Sequence, residues 1–66
     1  MQIQVNGETR DVPEGCNVLR LLAHLELNPA RLAIERNLEI LPRSAWEATL
    51  LAAGDRLEIV HFVGGG

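Results

Sequence analysis

The sequence predicts a small α+β fold: a mixed sheet of four to five strands, one main helix packed on one face, and a short second helix. Three observations predict it. Polar and apolar residues alternate in Gln2-Ile3-Gln4-Val5 and run into Asn6-Gly7, a pair suited to a tight hairpin. Val18, Leu21, Leu22 and Leu25 form an apolar stripe at helical spacing. A strand-like run from Arg56 to Val63 precedes Gly64-Gly65-Gly66. The 66 residues allow one domain. A chain this short hides only ~60% of its extended surface on folding. The expected organisation is a folded unit over 1–63 and a flexible glycine tail over 64–66.

Each element has a local cause. Asn6 and Gly7 both tolerate positive φ, so a two-residue turn joins the first strand to Glu8-Thr9-Arg10-Asp11-Val12. That second strand is polar enough for an edge, and Pro13 ends it. Asn17 is placed to cap the helix with its side-chain oxygen. Asn28-Pro29 is expected to stop it, because a residue before proline leaves the α region. Leu32-Ala33-Ile34-Glu35 reads as a third strand, Arg36-Asn37 as a turn, and Leu38-Glu39-Ile40-Leu41 as a fourth strand. Ser44-x-x-Glu47 has capping-box spacing, which predicts a helical turn from Ala45 to Leu50. Gly54 suits the position after it. Helices do not alternate strictly with strands, which argues against a doubly wound parallel sheet. The last strand is free to return beside the first. The expected core comprises Ile3, Val5, Val18, Leu21, Leu22, Leu25, Leu32, Ile34, Ile40, Leu50, Leu57 and Ile59, with Trp46 anchoring the short helix.

Composition excludes several classes. The formal charge is −3, and the six basic residues are all arginines scattered along the chain. Nucleic-acid binding relies on a basic face to neutralise phosphates, and none is formed here. No apolar run approaches the ~20 residues of a membrane-spanning helix. The first residues lack the basic-then-apolar order of a secretory leader. Cys16 is the one cysteine, so an internal disulfide is excluded and a reducing, cytoplasmic setting is expected.

A search for an active site finds little. His24 and His61 are the only imidazoles, and neither forms a metal-like cluster with Cys16. Cys16 lies next to the helix start, but no base accompanies it. No Gly-rich loop opens a helix to cradle phosphate. No cofactor or metal is therefore expected on the chain itself, and it is not expected to be an enzyme.

The final glycines are the exception. Three extended residues reach roughly 10 Å. Without Cβ atoms they fit a channel too narrow for other residues. The α-carboxylate of Gly66 would be the reactive group there, inert until a partner activates it. With Leu57 and Ile59 pointing inward, strand alternation turns Glu58, Val60 and Phe62 outward. Val60 and Phe62 then form an apolar contact patch beside the tail, with Glu58 adding charge.

At these residues the chain resembles the ubiquitin-like β-grasp sulfur carriers, and most closely the ThiS family of thiamine thiazole biosynthesis. The resembling pieces are Asn6-Gly7, Val18-x-x-Leu21-Leu22, Ala33-Ile34-Glu35-Arg36-Asn37, Pro42-Arg43-Ser44-x-Trp46, Gly54-Asp55-x-Leu57-Glu58-Ile59 and Val63-Gly64-Gly65-Gly66. The resemblance implies adenylation of Gly66 by an E1-like, ThiF-like enzyme that uses ATP and magnesium. A sulfur-donor system then leaves a thiocarboxylate, which donates sulfur to a ThiG-like thiazole synthase. Gly65 and Gly64 supply the tail's slender reach. Cys16 matches no functional position of the family. The alternatives are a MoaD-like carrier for molybdopterin or another pathway, a ubiquitin-like modifier, and a plain interaction domain.

Overall fold

The computed structural model describes residues 1–62. Strands β1 (Gln2–Val5) and β2 (Glu8–Asp11) pair antiparallel with Val5 opposite Glu8, leaving Asn6 and Gly7 as the turn. Their φ angles are 51° and 82°, the double left-handed geometry of a type I′ hairpin. Ile3 and Val5 face the core, whereas β2 is exposed along its length and forms one sheet edge.

Helix α1 (Val18–His24) begins where Asn17 Oδ1 accepts the Arg20 N–H at 2.8 Å. It buries Val18, Leu21 and Leu22 against the sheet, with Leu25 half-buried. It ends before the expected Asn28-Pro29 stop. Glu26 turns left-handed at φ 59°, its N–H donates to Ala23 O at 3.0 Å, and Leu27 N–H donates to Leu22 O at 2.9 Å. These paired bonds satisfy the last carbonyls and close the helix without proline. Asn28 instead caps a 3-10 turn at Pro29–Arg31, accepting the Ala30 N–H at 2.9 Å.

Strands β3 (Leu32–Arg36) and β4 (Glu39–Leu41) form the second hairpin. Its turn is Asn37-Leu38, with φ of 52° and 70°, one residue later than expected. This register corrects the placing of Ile40 in the core: it is 80% exposed. A two-residue turn pairs even-numbered positions with odd ones. With Ile34 inward, its partner Leu41 faces the core and Ile40, opposite Glu35, faces out.

The expected helical turn over Ala45–Leu50 is also corrected. In place of a helix, a 3-10 turn forms at Arg43–Ala45, followed by a single turn in which Thr49 N–H donates to Ala45 O at 3.0 Å. Pro42 stands at the cap of the 3-10 turn and offers no side-chain acceptor. Only from Thr49 does the chain extend: Val18 N–H donates to Thr49 O at 3.2 Å and Leu51 N–H to Cys16 O at 2.9 Å. This bridge alternates its side chains, so Leu51 is buried and Leu50, expected in the core, is 62% exposed. Trp46 is buried, donates Nε1–H to Leu41 O at 2.9 Å, and carries the Arg43 guanidinium 4.6 Å above its ring. Val12, Cys16 and Leu51 complete the core beyond the residues expected from the sequence.

Strand β5 (Arg56–His61) returns to the middle of the sheet. The order is β2-β1-β5-β3-β4, with β5 parallel to β1 and antiparallel to β3. Helix α1 and the segment around Trp46 cover one face. The opposite face of β3, β4 and β5 is open, and its outward residues are exposed.

Candidate functional site

The site is built on β5 because that strand leads to the glycines. Three sets of bonds hold it. Along β1, Gln4 N–H donates to Asp55 O and Asn6 N–H to Leu57 O, both at 2.9 Å. The Asn6 side chain then continues the ladder past the turn. Its Oδ1 accepts the Ile59 N–H at 2.7 Å, and its Nδ2 donates to Ile59 O at 3.0 Å. The carboxamide replaces the peptide group that β1 lacks there. On the other side β3 pairs from Arg36–Leu57 to Leu32–His61, and Phe62 N–H donates to Arg31 O at 3.1 Å. Backbone order therefore extends to the last described residue.

A buried carboxylate fixes the start of the strand. Asp55 is 5% exposed, and its oxygens accept from Arg36 Nε at 2.9 Å, Asn37 Nδ2 at 3.2 Å and Ala52 N at 2.8 Å. Asn37 also accepts the Arg56 N–H at 2.9 Å. Desolvation raises the Asp55 pKa. The donated bonds from Ala52, Asn37 and Arg36, with the arginine charge, outweigh it and hold the carboxyl below its ordinary value. This network clamps the β3–β4 turn to the base of β5.

On the open face, Glu58, Val60 and Phe62 are exposed, Val60 by 56% and Phe62 by 50%. The sheet adds residues not expected at the site from the sequence. Ala33 pairs with Val60, Glu35 with Glu58, and Ile40 lies opposite Glu35. Together with Ile34 they line a concavity of about 160 Å³. Strand alternation and hairpin parity carried the signal for Ile40. The pairing of Glu35 with Glu58 requires the β3–β5 register, which no local motif states.

The other candidates stay apart. Cys16 is buried and directs its thiol to Asn17 O at 3.4 Å. His24 and His61 are exposed. Among the described residues no group of three His, Cys, Asp or Glu side chains could hold a metal, and no helix is long and apolar enough to cross a membrane. Gly64, Gly65 and Gly66, expected to carry the chemistry and the tail, lie outside the described residues.

The last strand lies between the first and third with one helix across a single face, and the ThiS family model matches residues 3–66. The chain belongs to the ThiS family of sulfur carriers. The sulfur carrier protein ThiS of Bacillus subtilis is 35% identical over 65 residues, covering 97% of this chain and 98% of its own. The crystal structure of the thiamine biosynthesis protein ThiS from Geobacter metallireducens superposes with a TM-score of 0.85 at 39% identity, across all of both chains. This similarity establishes the ubiquitin-like β-grasp fold for the ThiS-family chain. A thiazole synthase of Paramagnetospirillum magneticum is 42% identical over all 66 residues, and the chain spans only 20% of that protein's length.

Proposed function

We propose that this chain carries sulfur for thiazole formation on the carboxylate of Gly66, where that residue ends the polypeptide. A ThiF-like E1 enzyme, with ATP and magnesium, joins the carboxylate oxygen to the α-phosphorus of ATP and releases pyrophosphate. The outer sulfur of a persulfide on a donor system attacks the resulting acyl-adenylate and AMP leaves; a thiol reductant then cleaves the acyl disulfide, forming a disulfide with the donor's sulfur and leaving the thiocarboxylate. The thiocarboxylate then passes its sulfur to a ThiG-like thiazole synthase. The chain is a co-substrate of these cytoplasmic enzymes, not a catalyst.

The observation that carries this reading is the run Gly64-Gly65-Gly66 directly after β5, in a chain of the ThiS family. Glycine leaves the reacting carbonyl without a side chain to block attack. The similarity of a thiazole synthase to the whole chain supports the thiazole pathway over other sulfur pathways. Val60, Phe62 and Glu58 serve as the docking surface beside the tail.

The test is intact-protein mass after incubation with the cognate activating enzyme, ATP, magnesium and a sulfur source. The full chain is expected to show the oxygen-for-sulfur increase. A variant lacking Gly66 is expected to melt at the same temperature and stay at its starting mass. An unchanged mass for the full chain would overturn the reading.

A further inference from the structure

The open face sets two like charges opposite each other. Register sets Glu35 of β3 directly opposite Glu58 of β5, and both are exposed. Facing residues of an antiparallel pair bring their Cβ atoms to ~4.5–5.5 Å, where like charges repel. Among the described residues neither carboxylate joins an ion pair. Arg36 is committed to Asp55, and Arg56, two residues before Glu58 on the same strand face, makes no ion pair with either glutamate. A sheet selected for stability alone would place a cation, or a β-branched polar residue, at one of these two positions.

The surroundings are apolar. Ile40 stands on one side of the pair and the Ala33–Val60 pair on the next row, and these side chains line the same concavity as the two carboxylates. A guanidinium complements this surface. It can donate along two edges to two carboxylates while its flat faces and methylene stem lie on aliphatic carbon. An ammonium would neutralise the charge but is a compact, strongly hydrated group that uses the aliphatic frame poorly. A hard divalent cation requires six or more oxygen ligands, and two glutamates on a flat strand pair do not supply them.

We propose that Glu35 and Glu58 together receive an arginine side chain of the docking enzyme, framed by Ile40 and Val60, and that this contact selects the enzyme. The proposal deepens the carrier reading and rests on it, since that reading brings thiazole synthase to this face. Repulsion in the free chain is relieved only in the complex, so the pair favours docking at the expense of the isolated fold.

The test measures binding of the full chain to the thiazole synthase of the same organism by calorimetry, at low and high salt, alongside thermal melting. The double variant Glu35→Gln/Glu58→Gln is expected to bind about thirtyfold more weakly at low salt and to lose most of the salt dependence. Its Tm is expected to rise by about 1–4 °C, because the repulsion is gone. Val60→Arg, which fills the frame with bulk and with a charge like that of the incoming arginine, is expected to lose binding without a fall in Tm. Unchanged affinity in the double variant, with binding lost in Val60→Arg, would overturn the arginine contact and leave the docking face standing. Full binding by all variants would overturn both. A lower Tm in the double variant would show that the pair stabilises the free fold, which also overturns the proposal.

Discussion

Strands β3 and β5 hold carboxylates in two opposite conditions. Near the base of β5, Asp55 is buried and takes donors from Arg36, Asn37 and Ala52. Further along the same strand pair, Glu35 and Glu58 face each other in the open with no ion pair among the described residues. The physics of burial explains the first case: a buried charge without partners costs several kcal/mol, so Asp55 had to be matched completely. Water makes the second arrangement tolerable, not favourable. The difference teaches where this small chain invests its interactions. Its structural joint is fully satisfied, and its outward face retains unspent hydrogen-bonding and apolar capacity.

Breaking the satisfied side should give the largest effect. Asp55→Ala strands Arg36 and Asn37 and is expected to cost about 3 kcal/mol, with a fall in Tm of about 15 °C by calorimetry. Acid acts on the same joint. The folded carboxyl sits below its ordinary value, so the unfolded chain takes up the proton first as pH falls. The stabilisation is complete above about pH 5 and drains away as pH drops through the ordinary carboxylate range towards the lower folded value. Asp55→Asn is accordingly expected to show a shallower loss of Tm below about pH 4 than the natural chain. The Asn6 bridge comes next. Asn6→Gly keeps the turn but removes both bonds to Ile59, at a cost of about 1–2 kcal/mol in urea denaturation and with faster exchange of the Ile59 amide.

Changes on the open side should be small or reversed in sign. Leu38 is 91% exposed and held at φ 70°, where a side chain is strained. Leu38→Gly is expected to raise stability by about 0.5 kcal/mol, the relief of strain exceeding the added freedom of the unfolded chain. A measured loss there would mean that Leu38 contributes packing and would blur the contrast between the two regions.

Much of this fold was legible because its signals are local. Asn6-Gly7 specified its own hairpin, Asn17 its own cap, and the stripe of Val18, Leu21 and Leu22 its own buried face. The outward set Glu58, Val60 and Phe62 followed from alternation with Leu57 and Ile59. What escaped depends on pairing. Ile40 reads as core until hairpin parity is applied, and Leu50 does so until the bridge to Asn17 is known. Asp55 looks like a turn residue, since Arg36 and Asn37 reach it from 19 and 18 positions away. Ser44-x-x-Glu47 misled because Pro42, not Ser44, stands at the cap, and the bridge to Cys16–Val18 extends the chain from Thr49 after a single turn.

The central place of β5 has a mechanical consequence. A tug on the carboxy-terminal end acts lengthwise on a strand gripped by neighbours on both flanks, one running with it and one against it. The rungs are loaded sideways and together, whereas an outer strand would peel one rung at a time. The strand is therefore placed to bear a lengthwise load without unravelling the sheet.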